Sequence, residues 1–144
     1  MKKENEIAAY AAGLFDGEGH VSVTCNRANT RPYLTAACGI SNQNRAVLDW
    51  IKTLFGGNVY CSNPPKDSRA RATYAWVTRS KALITAFLEA VLPYLRIKRR
   101  QAELGIEFEV GIVGLGERVT KEEAARREAI RLELRSLNAK CRFV

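Results

Sequence analysis

The run AAGLFDGEG, residues 11–19, carries two acidic side chains, Asp16 and Glu18, on either side of a glycine. The apolar spacing upstream predicts that both fall at the C-terminal end of a helix. Acids are disfavoured there because the helix dipole is already negative. The Glu18 carboxylate offers oxygen ligands that suit a hard divalent cation such as Mg²⁺. Chemistry rather than local stability therefore accounts for these residues, and the neighbouring elements must position them.

The helix that ends at these acids has an apolar face and an unusually small one. Asn5 is expected to cap it, and Ile7, Ala11 and Leu14 recur at helical spacing. The small residues form two rows, with Ala8, Ala12 and Asp16 in one and Ala9, Gly13 and Gly17 in the other. Another helix backbone could approach closely along this surface.

The rest of the chain alternates strands and helices. The apolar period changes to two after residue 19, which predicts a first strand, and further strands are expected at 33–41, 58–62 and 71–78. Helices are expected at 47–55, after Ser80, at 96–110 and after Thr120. This order predicts an α+β fold with an αββαββα core over residues 1–144 as a single domain. Its four-stranded antiparallel sheet has helices on one face, two extra C-terminal helices follow the core, and the second face of the sheet is left for a ligand.

The charge of the chain favours a polyanionic partner. Its 144 residues carry 23 Lys and Arg against 15 Asp and Glu, a formal net charge of +8. Such an excess favours nucleic acid, with an anionic membrane surface a distant second. The four cysteines have no metal-like spacing, which is typical of free thiols in a reducing compartment. With no secretion signal or transmembrane run, we expect a soluble intracellular protein.

The run 11–19 resembles the nine-residue LAGLIDADG motif. It shares the motif's glycines and its sixth-position acid, with Glu18 in place of Asp at the eighth position and Ala11 in place of Leu at the first. The segments ISNQNRAVLDWIKTLFGG and LPYLRIKRRQA resemble the family's polar turn with second helix and its lysine-bearing turn before a later helix. The resemblance covers about residues 6–110. The sequence is similar to LAGLIDADG homing endonucleases that carry one motif per chain.

That resemblance implies an intron-encoded, site-specific double-strand DNA endonuclease. Such enzymes pair two motif helices at a two-fold axis, lay two saddle-shaped sheets along the major groove and cut both strands across the minor groove with divalent metal. One motif per chain implies a homodimer on a long pseudo-palindromic site. The expected partners are double-stranded DNA and a second copy of the chain, without a membrane or a small-molecule substrate. The implied interface residues are Ala8, Ala9, Ala12, Gly13 and Asp16, with helix-end hydrogen bonds as the other role for Asp16.

In such a dimer each Glu18 approaches its symmetry mate at two negative helix ends. A divalent cation would relieve the repulsion between the two carboxylates. We expect Mg²⁺, with Mn²⁺ or Ca²⁺ able to take its place, held by Glu18 and the backbone carbonyl of Gly17. A metal at this position can polarise the scissile phosphate and help deprotonate the attacking water.

Three further residues match catalytic positions of the family. Lys98 could balance phosphate charge or lower the pKa of a water, and the alternative is a solvated phosphate contact. Asn42 matches the residue that orders active-site water, and its alternative is an N-cap for the helix beginning near Asn44. Arg45 belongs to the same basic pocket. His20 is interpreted as a polar strand-start residue near the site rather than as the centre of a His-based nuclease.

DNA readout is expected from the polar sheet face, because a two-stranded ribbon fits the major groove and alternate side chains point at base edges. The candidates are Ser22, Thr24, Asn26, Tyr33, Thr35, Tyr60, Ser62, Arg71 and Thr73, with Arg27, Arg31, Lys66 and Arg69 extending the contacts from the loops. For each Ser or Thr the alternative is an ordinary solvent-facing strand residue.

Two other functions fit the same scaffold. One is a non-cleaving RNA-binding splicing cofactor (a maturase) or DNA-binding regulator, and the other is a structural α+β domain whose charge confers solubility. The presence of both Glu18 and Lys98 favours the enzyme, because a pure binder gains little from a carboxylate facing phosphate.

Overall fold

A computed structural model describes residues 1–27, 33–111 and 119–140 and confirms the predicted α+β order. The helices are α1 (Lys2–Glu18), α2 (Arg45–Phe55), α3 (Lys81–Val91), α4 (Arg99–Val110) and α5 (Lys121–Lys140). The strands are β1 (Gly19–Asn26), β2 (Tyr33–Asn42), β3 (Asn58–Asn63) and β4 (Thr73–Thr78). A short 3-10 turn, Leu92–Tyr94, follows α3. None of the described helices is long and apolar enough to cross a membrane.

The strands form one antiparallel sheet in the order β1-β2-β4-β3. Cys38 lies opposite Val21 on one side and Thr78 on the other, which joins the two hairpins at the centre. Directly opposed residues share a face, so buried Val21 and Ile40 mark the helix-covered face. The other side is the open face. It carries His20, Ser22, Thr24 and Asn26 of β1, Tyr33, Thr35, Ala37, Gly39 and Ser41 of β2, Ala75 and Val77 of β4, and Tyr60 of β3.

The core between the helices and the sheet is aromatic at its centre. The Phe87 ring packs against Phe15, Phe55 and Trp76, with centroid distances of 5.6, 5.0 and 4.8 Å. Trp76 Nε1 also donates to the carbonyl oxygen of Gly56 at 2.7 Å. Gly56, which ends α2, has a φ of 73°, a backbone angle that residues with a side chain rarely adopt. This turn anchors the second hairpin to the core.

Several element boundaries differ from the sequence prediction, including the start of α4 at Arg99 instead of residue 96, and two of the differences have a clear physical cause. Helix α1 begins at Lys2, and the Asn5 backbone N–H donates to the Met1 carbonyl at 3.1 Å, so Asn5 lies inside the first turn rather than capping it. Strand β4 begins at Thr73 instead of residue 71. The loop before it turns at Asp67, whose carboxylate accepts two backbone N–H groups at 2.8 and 3.0 Å. Because this aspartate turn holds the chain in a bent conformation, extended structure begins later than predicted, at Thr73.

Candidate active site and nucleic-acid interface

Glu18 is the last residue of α1, and its side chain is exposed. The chain passes at once into β1, with Gly19 extended at φ −86° and ψ 165°. A Cβ at Gly19 would overlap the Phe15 ring and lie 2.6 Å from the Phe15 carbonyl oxygen. Glycine is therefore needed for the helix to join the strand so closely. This junction holds the Glu18 carboxylate beside the sheet.

An oxygen-rich cleft of about 360 Å³ lies next to Glu18. The described residues that line it are Glu18, Ser41, Asn42, Gln43 and Thr73. They offer carboxylate, hydroxyl and amide groups, which suit a hard cation such as Mg²⁺ better than a soft one. Because Ser41 lies on the open face, the carboxylate is at the edge of the predicted DNA surface. No three His, Cys, Asp or Glu side chains cluster as a metal site in the described parts of this single chain.

Asp16 ties a distant turn to the end of α1. Its carboxylate accepts the backbone N–H groups of Arg96 at 2.8 Å, Ile97 at 3.1 Å and Lys98 at 3.0 Å. Hydrogen bonds to a charged acceptor are stronger than neutral ones. The Asp16 carboxylate is engaged within its own chain, and its place in a dimer interface stays a prediction. The three bonds agree with the alternative role of Asp16, which is to make hydrogen bonds at the helix end.

Lys98 is brought to the same junction. It is the N-cap residue of α4, and its half-buried Nζ donates to the carbonyl oxygen of Gly19 at 2.5 Å. Gly19 directly follows Glu18, so the ammonium and the carboxylate flank one short piece of backbone. A phosphate group that approaches Glu18 would find positive charge beside it.

Asn42 and Asn44 share the turn before α2. Asn42 Oδ1 accepts the Asn44 backbone N–H at 2.8 Å, and Asn44 Oδ1 accepts that of Val47 at 3.3 Å. The N-cap is therefore Asn44, while Asn42 shapes the turn and lines the Glu18 cleft. This arrangement keeps the Asn42 amide beside Glu18, where the motif predicted a water-ordering residue.

Arg45 lies in an adjoining cleft of about 620 Å³ that Asn42 and Arg71 also line. The Arg45 guanidinium is 5.5 Å from the centre of the Tyr74 ring, and its Nε is 3.7 Å from an Asp49 carboxylate oxygen. Arg45 and Arg71 thus form a basic rim next to the Glu18 cleft.

His20 occupies the open face at the start of β1. An ideal Cβ on Gly39 would lie 2.8 Å from the His20 Cε1, so the imidazole packs over a position that only glycine fits. Burial lowers the pKa of His20, and the charges of Lys98 and Arg79 lower it further. Arg79 was missed in the sequence analysis, as were Ser41 and Gln43. Arg79 lies two residues after Val77, which is on the open face of β4, so the alternation along the strand could have predicted that Arg79 is on the same face.

The polar residues predicted to read DNA on the first hairpin form cross-strand pairs on the open face. Thr24 lies opposite Thr35, and their hydroxyl oxygens are 3.5 Å apart. Asn26 lies opposite Tyr33 and donates to its hydroxyl at 3.0 Å. Ser22 lies opposite Ala37. These side chains present alternating donors and acceptors to one side of the sheet.

The second hairpin carries the remaining candidates. Tyr60 lies opposite Ala75 on the open face, whereas Ser62 sits at a bulge and its hydroxyl donates to the Thr73 carbonyl at 3.1 Å. The backbone therefore already uses the Ser62 donor. The predicted loop contacts Arg27, Lys66 and Arg69 are exposed, and Arg31 lies outside the described residues.

The small face of α1 divides between the core and the surface. Ala12 is 0% exposed and packs inside its own chain, so its assignment to a dimer interface is wrong. Ala8 is half-buried, while Ala9 and Gly13 are exposed. A Cβ on Gly13 would meet no atom within 4 Å. Packing within the chain therefore does not explain this glycine, which costs about 1 kcal/mol in a helix interior relative to alanine.

Comparison with solved structures identifies the fold. Neither a family profile nor the sequence of a curated protein matches the chain. The chain is similar to an archaeal intron-encoded homing endonuclease, I-Vdi141I, complexed with DNA, at 23% identity and a TM-score of 0.75, over 93% of this chain and 85% of that one. The homing endonuclease I-CvuI, in complex with its target in the presence of Ca, aligns at 16% identity and a TM-score of 0.77, over 95% and 85% of the two chains.

A third similar structure is the LAGLIDADG homing endonuclease I-GzeII in complex with a DNA target. It aligns at 18% identity and a TM-score of 0.70, and the match covers 86% of this chain but 43% of that one. The chain therefore has the LAGLIDADG homing endonuclease fold, as its motif predicted. It corresponds to most of the length of I-Vdi141I and I-CvuI and to under half of I-GzeII.

Proposed function

We propose that this chain is a site-specific double-strand DNA endonuclease that acts as a homodimer with a divalent metal ion. The observation that carries the proposal is the exposed Glu18 carboxylate in an oxygen-lined cleft at the edge of the open polar sheet face. Lys98 flanks the same junction. A carboxylate directed at a polyanion is unfavourable unless a cation lies between them. A surface that only bound DNA would lose affinity by keeping it.

The donor set beside Glu18 fits Mg²⁺. Glu18 and the backbone carbonyl of Gly17 would hold the ion, at a helix end where the dipole favours a cation. When bound, such an ion polarises a scissile phosphate and lowers the pKa of a coordinated water. A single chain offers one carboxylate at the cleft, and a second copy of Glu18 would give the two that such a site commonly uses.

Lys98 and Asn42 supply what the carboxylate does not. The Lys98 ammonium would neutralise part of the phosphate charge as negative charge develops in the transition state. The Asn42 amide, fixed by its bond to the Asn44 backbone, would orient a water for attack on phosphorus. Asp16 would act as a positioning residue, since it holds the backbone of Lys98 without facing the cleft.

The exposed row Ala9, Gly13 and Gly17 supports dimerisation through α1. Neither Gly13 nor Gly17 has an atom within 4 Å of an ideal Cβ position, so both leave room for a close partner. Tyr10 beside them is 59% exposed. Pairing two α1 helices along this row would bring their C-terminal ends, and with them both Glu18 residues, to one axis. Close helix approach over small residues is the geometry that such a row permits.

The open face would bind the major groove on both sides of the cleavage position. The paired side chains of Thr24 with Thr35 and Asn26 with Tyr33 would contact base edges, while Arg27, Lys66 and Arg69 would contact phosphates. Base contacts would specify the sequence, and phosphate contacts would fix the register of the duplex.

A plasmid-library cleavage selection tests this function. Wild-type protein incubated with randomised target plasmids and Mg²⁺ should linearise a small set of related, pseudo-palindromic sequences, and EDTA should abolish the product. If the protein binds duplex DNA but gives no linear product in Mg²⁺ or Mn²⁺, it is a DNA-binding regulator instead. Preference for structured RNA over duplex DNA would indicate a splicing cofactor. Either result would refute the endonuclease.

A further inference from the structure

A second basic cleft lies on the opposite edge of the sheet from the second hairpin. Strand β1 is an edge strand, and side chains from the N-cap of α4 and from α5 reach its free backbone. Lys98 Nζ donates to the Gly19 carbonyl at 2.5 Å, and Asn138 Nδ2 donates to the Val21 carbonyl at 3.0 Å. Next to Asn138 a cleft of about 450 Å³ separates β1 from α5. Its lining includes Ser22, Val23, Arg131, Leu134 and Arg135.

The arginines of α5 differ in whether an acidic side chain neutralises their charge. Arg126 and Arg127 both bond to Glu123, at 2.7 and 3.0 Å. In the cleft itself, Arg131 forms a two-pronged pair with Glu128 at 2.6 and 2.9 Å.

Arg135 differs from these residues. Within the described parts of the chain, its exposed guanidinium forms no hydrogen bond or ion pair. It therefore offers its full charge and its donor fork to a ligand. A guanidinium fork matches the oxygens of a phosphate group.

The position of the cleft indicates which phosphate it would meet. Ser22 belongs both to the cleft lining and to the open face, so the cleft borders the surface on which DNA is proposed to lie. A duplex with its major groove on that face passes its backbone along the sheet edges. The Ser22 hydroxyl and the second hydrogen of the Asn138 amide add neutral donors beside Arg135.

We propose that the cleft between β1 and α5 is a phosphate-binding site for the DNA backbone, with Arg135 as its anchor and Ser22 and Asn138 as neutral donors. This inference rests on the proposed DNA-binding function and adds a backbone contact from α5 beside the edge strand β1. Such a contact fixes the position of the duplex on the sheet and carries no sequence information. Arg131 contributes less, because Glu128 offsets its charge.

The test compares charge variants on a long mixed-sequence duplex, since a phosphate contact does not depend on the target sequence. The affinity of Arg135→Gln is measured as a function of salt concentration, beside Lys52→Gln, which removes one exposed charge from α2 on the helix side. The affinity falls with salt, and loss of one phosphate contact per chain makes the slope of log affinity against log salt less steep by about one, or by about two per dimer. Arg135→Gln should show this loss, and Lys52→Gln should keep the wild-type slope.

A second variant is expected to raise DNA affinity, in the opposite direction to Arg135→Gln. Glu128→Gln releases Arg131 and removes a negative charge near the cleft, so it should raise both the affinity and the slope. Glu89→Gln, at an exposed position on α3, is the matched control and should change neither. Glu89 is exposed and Glu128 is only half-buried, so the fold is retained in both variants, and thermal unfolding checks this.

The outcomes separate the two proposals. If wild-type protein binds the duplex and Arg135→Gln has the slope of Lys52→Gln, the phosphate site is refuted and the DNA-binding function stands. If Glu128→Gln weakens binding, the site is refuted in the same way. If wild-type protein binds no duplex at any salt concentration, the proposed function is refuted together with this inference.

Discussion

Replacement of Asp16 tests how the lysine-bearing turn is held at the site. The Asp16 carboxylate accepts three backbone N–H groups at 2.8, 3.1 and 3.0 Å. Hydrogen bonds to a charged partner contribute about 1.5–3 kcal/mol each, so three give an upper bound of roughly 4.5–9 kcal/mol. Two of the three donors lie in exposed residues and can bind water after the change. We therefore expect Asp16→Ala to lower the free energy of unfolding by about 2–4 kcal/mol.

The same change should affect cleavage more than binding. A shift of about 1 Å in a catalytic group can cost on the order of a hundredfold in rate. Asp16→Ala should therefore lower the single-turnover cleavage rate by about that factor while DNA affinity falls much less, and Asp16→Asn, which keeps one acceptor oxygen, should lie between. Urea unfolding and single-turnover cleavage provide the two readouts, with Glu6→Gln as the control for loss of an exposed charge on α1. An Asp16→Ala protein with wild-type stability and a wild-type rate would refute the reasoning.

The remaining predictions concern the dimer, the lysine and a buried acid. Gly13→Leu should leave the fold intact, since a Cβ there meets nothing within 4 Å, yet give a monomer in sedimentation, and an unchanged dimer would contradict the α1 interface. Lys98→Met should lower cleavage strongly and Lys98→Arg less, whereas equal mild losses in both would favour the phosphate-contact role. Glu109 is 2% exposed, and burial raises its pKa against the opposing charges of Lys81 and Arg127. The protonated form therefore stabilises the fold, and this stability is lost as pH rises through the raised pKa. Urea unfolding should show Glu109→Gln gaining stability relative to wild type between acidic and neutral pH, and a pH-independent difference would contradict this.

Local patterns predicted the elements that carry the site. The change of period after residue 19 predicted β1, and the alternation of Val21 and Val23 with polar residues predicted which face stays open. The pairing of Thr24 with Thr35 came from the structure, because the register of the hairpin depends on a turn whose type the sequence did not assign. The end of α1 at Glu18 followed from the same boundary.

Long-range contacts were beyond such patterns. The bonds from Asp16 to the turn at Lys98 join residues 82 positions apart, and no periodicity encodes them. Ala12 was misassigned because a small residue suits close packing both inside the chain and between chains, and only the position of α3 and the sheet decides between them. The Arg135 cleft was missed because it depends on how α5 lies against the edge of β1.

Glu18→Gln gives the most direct test of the central claim, that this carboxylate holds the metal that cuts DNA. The change removes the charge and adds almost no bulk at an exposed helix end. With a target recovered from the library selection, the cleavage rate in Mg²⁺ and the DNA affinity are measured on the same preparation. We expect loss of cleavage with a DNA affinity equal to or above that of wild type, because one negative charge near phosphate has been removed. Cleavage by Glu18→Gln at a rate near that of wild type would contradict the claim.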